Sequence, residues 1–568
     1  MAGRVKQTRT KTMIKFTGKT GLPRTTASLC PECGKVIKAV LKEKEGKVLM
    51  EKTCPDHGFF WDLISSSVDI YLRMEDYAHD GVGLENPYFT ESARCPVTCG
   101  MCTLHKSHTS LALMDLTNRC NLKCPVCFAN ANAAGYIYEP STEQLQFMMQ
   151  SLRDQKPVPT VAIQFSGGEP TLSPHFLWAA NKAHEMGFTQ IQVATNGIRL
   201  ANDPDFASQC VEHHLHTVYL QFDGLDDEIY KRVRGVPMLD IKKRAIENAR
   251  NARSPSWAPE GSPRRPLSVM LVPTLVGGFN DHQVAPILEF AIDNLDTVRG
   301  INYQPVALTA RIPDEDRHAM RYTQSDLVIE LTNSGYFEKT DFFPVPSVAP
   351  ISQLVSIIHG TPKLTMTAHP GCGVATFAFV RDRKVVPLAR FMDINGFFES
   401  VEDLIEKFED ARFQRLRTTM SAAKMRSQMA KFFDFDHAPE GMTEKNVLRL
   451  VTNLFTEGNK AALSDFTWNT LYVGSMHFQD SYNYDIERLK RCVIHYTSPD
   501  GRIIPFCSYN SGPIYREEVE QKFSVPIAEW KENKRAAKTV TRLEVMGTEG
   551  EVITDAQAYI EASKSVQI

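Results

Sequence analysis

No stretch of eighteen or more apolar residues occurs in this 568-residue sequence, so no transmembrane helix is expected. The N-terminus carries Arg4, Lys6, Arg9, Lys11 and Lys15 with no apolar run behind them, so no secretory signal is expected. A charge excess is also missing: 64 Lys and Arg stand against 67 Asp and Glu, for a formal net charge of −3. Nucleic-acid surfaces usually need a basic excess, so no nucleic-acid partner is expected. These absences suggest a cytoplasmic protein. Its basic N-terminal arm suits either peripheral contact with an anionic membrane or a frayed tail.

Cysteine is abundant, at thirteen residues. Without an export signal, disulfides explain them poorly, and their clustering points to metal. The most informative cluster is Cys120, Cys124 and Cys127, spaced C-x3-C-x2-C, followed by Phe128 and preceded by an apolar run at 111–116 that reads as a buried strand. Three thiolates on one loop can hold three irons of a [4Fe–4S] cluster and leave the fourth open to a chelating small molecule. A zinc knuckle normally shows two C-x2-C pairs and four ligands instead.

This spacing resembles the radical S-adenosylmethionine (SAM) superfamily. The resemblance implies that the open iron binds SAM and that the reduced cluster cleaves it to methionine and a 5′-deoxyadenosyl radical, which abstracts hydrogen from a substrate. An electron donor such as ferredoxin is implied with it.

Apolar runs at 111–116, 161–165, 191–194, 218–222, 267–273 and 301–305 alternate with helical patterns, such as 142–153 behind a Ser141 cap and 176–186 after Pro174. Six strand–helix units in series imply a parallel sheet with right-handed crossovers and ligands at the strand C-termini. The expected fold is therefore α/β, a partial (β/α)6 barrel over 111–310. A metal-knuckle and auxiliary-cluster region (1–110) precedes it, and an auxiliary iron–sulfur extension (311–568) follows.

Gly167, Gly168, Glu169 and Pro170 end the second strand and resemble the family's GGEP motif. There the glycines let backbone approach the ligand, and carbonyls and the carboxylate accept from the SAM ammonium. Thr195 and Asn196 end the third strand, where the family places SAM contacts. Asp223 ends the fourth as a polar pocket residue. Arg232 and Arg234 follow where the family often presents a basic residue toward the SAM carboxylate. The fifth and sixth strand ends, 272–274 and 303–305, are expected to face the substrate. The Pro- and Ser-rich stretch 251–266 reads as a lid or an insertion.

Outside the barrel, Cys30, Cys33, Cys54 and His57 form two C-P-x-[C/H] turns suited to tetrahedral zinc or a rubredoxin-like single iron. Cys95, Cys99 and Cys102 repeat the C-x3-C-x2-C spacing and suit an auxiliary cluster. His105 and His108 read as surface residues, and Cys210 as a small buried hydrophobe. Farther on, 364–369 looks strand-like and runs into Cys372, helices are expected at 400–411, 420–432 and 443–455, and Pro499-Asp500-Gly501 marks a hairpin that draws Cys492 and Cys507 together. The knuckles, the barrel and this hairpin, together with His477 to Asp485, resemble archaeal tetraether lipid synthases. That resemblance implies joining of isoprenoid chains of archaeal phospholipids, three four-iron clusters and one mononuclear iron. Full cysteine ligation of those centres asks for more than thirteen cysteines. Two other readings compete: a radical SAM maturase or methylase of a peptide or small molecule, and an iron–sulfur electron carrier, which would need no SAM pocket.

Overall fold

In the computed structural model, the described residues are 15–16, 21–90, 94–129, 131–132, 134–258, 265–309, 316–409, 430–439, 443–445, 449, 466–511 and 515–532. The basic arm before residue 15 and most of the helices expected at 420–432 and 443–455 lie outside them. Ala430–Phe432, at the end of the first of these, forms a single 3-10 turn.

The first unit is a four-stranded antiparallel meander: β1 (Arg24–Leu29), β2 (Val36–Lys44), β3 (Lys47–Cys54) and β4 (Gly58–Ser65). Alternation buries Ala39, Leu41, Val48 and Met50 on one face, as period-two strands require. Glu45 and Gly46 both take positive φ in the two-residue turn between β2 and β3, a geometry that follows strand twist.

The barrel strands are β5 (Leu111–Thr117), β6 (Ala162–Gly167), β7 (Gln190–Thr195), β8 (Thr217–Gln221), β9 (Ser268–Val272) and β10 (Val298–Pro305). They pair in that order and all in parallel. Phe165, Ile191, Val218, Leu271 and Ile301 face outward into the core with essentially no exposure. Against them pack helices such as α1 (Thr142–Arg153) and α2 (Phe176–Glu185). The start of α1 is set by Ser141 and Gln144, which form a reciprocal capping box. The alternate residues Gln164, Gln192, Tyr219, Met270 and Asn302 point into a cavity of about 2120 Å³.

The C-terminal third continues this same sheet at both edges. β11 (Gly373–Arg381) pairs antiparallel with β12 (Leu471–Met476), which pairs parallel with β10. At the other edge the expected hairpin forms from β13 (Ile494–Thr497) and β14 (Ile503–Pro505), and β13 lies parallel to β5. The strand expected at 364–369 is absent. Side chains satisfy its backbone instead: Ser110 Oγ donates to Thr365 O, Ser107 Oγ donates to Thr367 O, and Thr365 N donates to His108 Nε2.

A buried ion triad fixes the meander to the body. Arg321 donates from Nε to Asp62 (3.1 Å) and from a terminal nitrogen to Asp480 (2.7 Å), and all three side chains are at most 1% exposed. Lys52 reaches across to Ser481 O at 2.7 Å, and burial lowers its pKa to about 8. Removing one member of such a set strands a buried charge. Arg321→Met is therefore expected to cost about 3–5 kcal/mol, read as a clear drop in the thermal unfolding midpoint. A variant that melts with the wild type would contradict the triad.

Candidate active site

The cysteine loop leaves the C-terminal end of β5. Asn132, at φ 65°, clamps it: Cys120 N donates to Asn132 Oδ1 (3.0 Å), and Asn132 Nδ2 donates to Cys120 O (2.8 Å) and Leu122 O (3.1 Å). No sequence signal marks Asn132 for this part. Cys120, Cys124 and Cys127 are half-buried and line the cavity. Burial pushes the Cys120 and Cys124 thiols up, opposed at Cys124 by the Arg234 guanidinium. Thiolates in such a place need bound cations, and three sulfur donors opening on a cavity fit a four-iron cluster whose last iron takes a small molecule. Phe128 is 40% exposed and lies 5.7 Å from the Phe506 ring.

The GGEP segment docks on this loop. Gly168 N donates to Thr117 O and Glu169 N to Arg119 O, both at 2.8 Å. A Cβ on Gly167 would sit 2.2 Å from Thr117 O, and one on Gly168 would sit 2.3 Å from Arg119 O. The close approach that needs glycine is thus to the cysteine loop's own backbone. The Glu169 carboxylate is 1% exposed and accepts from Thr171 N, Thr171 Oγ1 (2.6 Å), Thr195 Oγ1 (2.8 Å) and Asn196 N (2.9 Å). Pro170 opens the short turn after it. Asn196 in turn donates from Nδ2 to Asn121 Oδ1 at 2.7 Å, back in the cysteine loop.

Asp223 and Arg234 form a buried two-pronged pair at 2.7 and 2.8 Å. Arg234 also donates to Val126 O (2.9 Å) and Thr274 Oγ1 (3.0 Å), which ties the loop to the ends of β8 and β9. The expectation of an arginine open to a ligand carboxylate is therefore modified, because most of its donors are engaged. Arg232 points elsewhere, over the Phe279 ring at 4.4 Å. Val272, Thr274, Gln304 and Pro305 line the cavity, whereas Tyr303 is core and donates to Val284 O. Of 251–266, residues 259–264 lie outside the described residues, and Pro255, Trp257 and Arg265 line the cavity.

Cys30, Cys33, Cys54 and His57 bring their ligand atoms within 4.8 Å of one another. His57 Nδ1 lies 3.5 Å from Cys54 Sγ, and this hydrogen bond lowers the Cys54 thiol pKa to about 6. Four such donors at one point fit a single tetrahedral ion.

Of the seven remaining cysteines, Cys95, Cys99, Cys372, Cys492 and Cys507 gather around one apolar cluster. Cys372 joins the hairpin cysteines: both Cys507 and Cys372 act on the charge of Cys492. Cys507 Sγ accepts from Gln479 N at 3.3 Å, and the Arg488 guanidinium lies beside Cys372 and Cys507. Burial raises the Cys99 and Cys507 thiols to about 12 and about 11. His105 and His108 are buried, contrary to the surface expectation. His105 Nε2 donates to Cys492 O at 2.8 Å, and burial lowers both histidines to about 4. Cys210 is a buried helical residue, 1% exposed, as expected.

Gly168→Ala forces a methyl group against Arg119 O. The docked loop is expected to open, so the reconstituted protein should lose about four irons per chain by iron analysis. A wild-type iron content would show that the contact does not matter.

The radical SAM superfamily model matches residues 114–291, and a model described as the HMPTM N-terminal zinc ribbon domain matches residues 22–66. The chain is 41% identical over 513 residues to the 7,8-dihydro-6-hydroxymethylpterin dimethyltransferase of Methanocaldococcus jannaschii, covering 90% of this chain and 97% of that one. The GTP 3′,8-cyclase of a Nostoc species is 25% identical over 197 residues, 34% of this chain and 56% of its own. The crystal structure of methylornithine synthase overlaps 52% of this chain and 82% of its own, at 13% identity and a TM-score of 0.31. The first of these relatives is named for methylating a pterin. This overturns the expectation that the chain joins isoprenoid chains, and with it the phospholipid partner and the membrane contact. No helix among the described residues is long and apolar enough to cross a membrane. The cofactors are a SAM-binding [4Fe–4S] cluster and SAM, a mononuclear metal in the ribbon, and auxiliary clusters. The chain belongs to the radical SAM superfamily, in the family of the Methanocaldococcus jannaschii dimethyltransferase.

Proposed function

We propose that this protein is a radical SAM methylase of a small molecule, with a reduced hydroxymethylpterin as its substrate. The observation that carries the reading is the 41% identity spanning 97% of a relative named for that activity. When bound, the cluster and SAM supply one-electron cleavage of the sulfonium C–S bond, and with it hydrogen-atom abstraction.

In this reading Cys120, Cys124 and Cys127 hold the cluster, and Asn132 fixes their loop. Glu169, Thr195 and Asn196 form the turn that meets SAM. Arg234 enters the pocket already neutralised by Asp223. Cys95, Cys99 and Cys102, and Cys372, Cys492 and Cys507, hold auxiliary clusters, and Cys30, Cys33, Cys54 and His57 hold the single metal ion.

Two features support a heterocyclic substrate. The barrel interior carries side-chain amides where such barrels usually pack branched aliphatics. Gln192 Nε2 donates to Gln164 Oε1 at 2.7 Å, and Asn302 Oδ1 is buried with no partner among the described residues. The cavity, at about 2120 Å³, exceeds the roughly 300–1,000 Å³ usual for one small ligand. It has room for SAM, a bicyclic substrate and a further methyl donor.

The test is anaerobic incubation of the reconstituted protein with a strong reductant, methyl-labelled SAM and 7,8-dihydro-6-hydroxymethylpterin, followed by mass spectrometry. The expected result is 5′-deoxyadenosine and methionine from the SAM that is cleaved, together with pterin carrying, in place of hydrogens, labelled methyl groups taken from a second SAM. Deoxyadenosine with an unchanged pterin would keep the radical SAM chemistry and overturn the pterin substrate.

A further inference from the structure

Lys242 lies beneath this site in the first turn of the helix Leu239–Arg250, with no exposed surface. Its Nζ donates to Asn196 O at 2.6 Å and lies 3.4 Å from Gln221 Oε1. It makes no ion pair among the described residues, although Asp223, Glu169, Arg234 and Cys124 all act on its charge. Burial outweighs the two carboxylates and lowers its pKa to about 7. A buried lysine is rarely left without an ion partner.

We propose that Lys242 is a positioning residue for SAM: by holding the Asn196 carbonyl it fixes the turn that joins Glu169 to the cysteine loop. The inference rests on the assignment of that turn to SAM above. Asn196 is bound at four points. Its N–H goes to Glu169 Oε2, its Nδ2 goes to Asn121 Oδ1, its carbonyl takes Lys242, and its Oδ1 accepts from Ile198 N. The first two contacts orient the turn within the strand-end layer. Lys242 reaches it from the helix Leu239–Arg250, and its four-carbon stem spans that distance. A charge is not needed for this work; a donor of the right length is. A lysine that merely filled the core would leave SAM affinity unmoved when replaced.

The experiment uses the anaerobically reconstituted full chain. SAM affinity is read from the change that added SAM makes in the electron paramagnetic resonance spectrum of the reduced cluster, and iron content is measured alongside. Lys242→Met is expected to keep its iron and weaken SAM by about tenfold or more, while Lys242→Arg, whose longer side chain still brings a donor to the carbonyl, stays within about threefold of wild type. Lys242→Met binding within about twofold of wild type, or Lys242→Arg as weak as Lys242→Met, would overturn the proposal. If Lys242→Met does not fold, Lys242→Arg decides: affinity within about threefold supports the proposal and a loss of about tenfold overturns it. A wild type that retains its iron and binds no SAM would overturn the reading of the site itself, separately from the part given to Lys242.

Discussion

The buried carboxylate of Glu169 is the constraint on which the rest of the site depends. It accepts four hydrogen bonds, from Thr171, Thr195 and Asn196, at the meeting point of three strand ends. A charge withdrawn from water survives only when its lone pairs are met this fully. Glu169 therefore fixes the loops after β6 and β7 relative to each other. Through Asn196 and Asn121 it also fixes the cysteine loop after β5. The Asp223–Arg234 pair repeats the device on the far side, with Val126 as its hold on the same loop. The cysteines are thus positioned from two directions before any metal arrives.

The metal sites differ in ways that follow from their surroundings. The ribbon site is closed: four donors converge, and its ends are held to the body through Lys52 and the Arg321 triad. Such a site suits a structural ion. The Cys120 loop keeps three donors and an open cavity, which suits an exogenous ligand. The cysteines of the C-terminal seam lie in apolar packing, where burial raises the Cys492 and Cys507 thiols. Bound iron would offset that penalty by holding them as thiolates.

Much of the barrel was legible in the sequence because its signals are local. All six strands fall within three residues of the apolar runs, and Ser141 caps its helix through a Ser-x-x-Gln pattern. The cysteine spacing and GGEP were also visible. What escaped is long-range. Nothing local announces that β13 completes the sheet beside β5, or that Cys372 meets a hairpin more than a hundred residues later. The segment at 364–369 has a strand's composition, but Ser107, His108 and Ser110 take its hydrogen bonds. His105 and His108 are polar in type and buried in fact. Asn132 and Lys242 carry no motif at all. The substrate was the least legible, since apolar and amide linings serve many molecules.

Cys120, Cys124 and Cys127 are proposed to hold a cluster whose fourth iron faces the Glu169–Asn196 turn. The most direct measurement is an anomalous-scattering map at the iron edge from crystals of the reconstituted protein with SAM. Four irons are expected at this loop, three bound by these cysteines and one bound by SAM lying against Asn196 and Gly168. A fourth protein ligand on that cluster, or SAM bound away from the Glu169 turn, would contradict it.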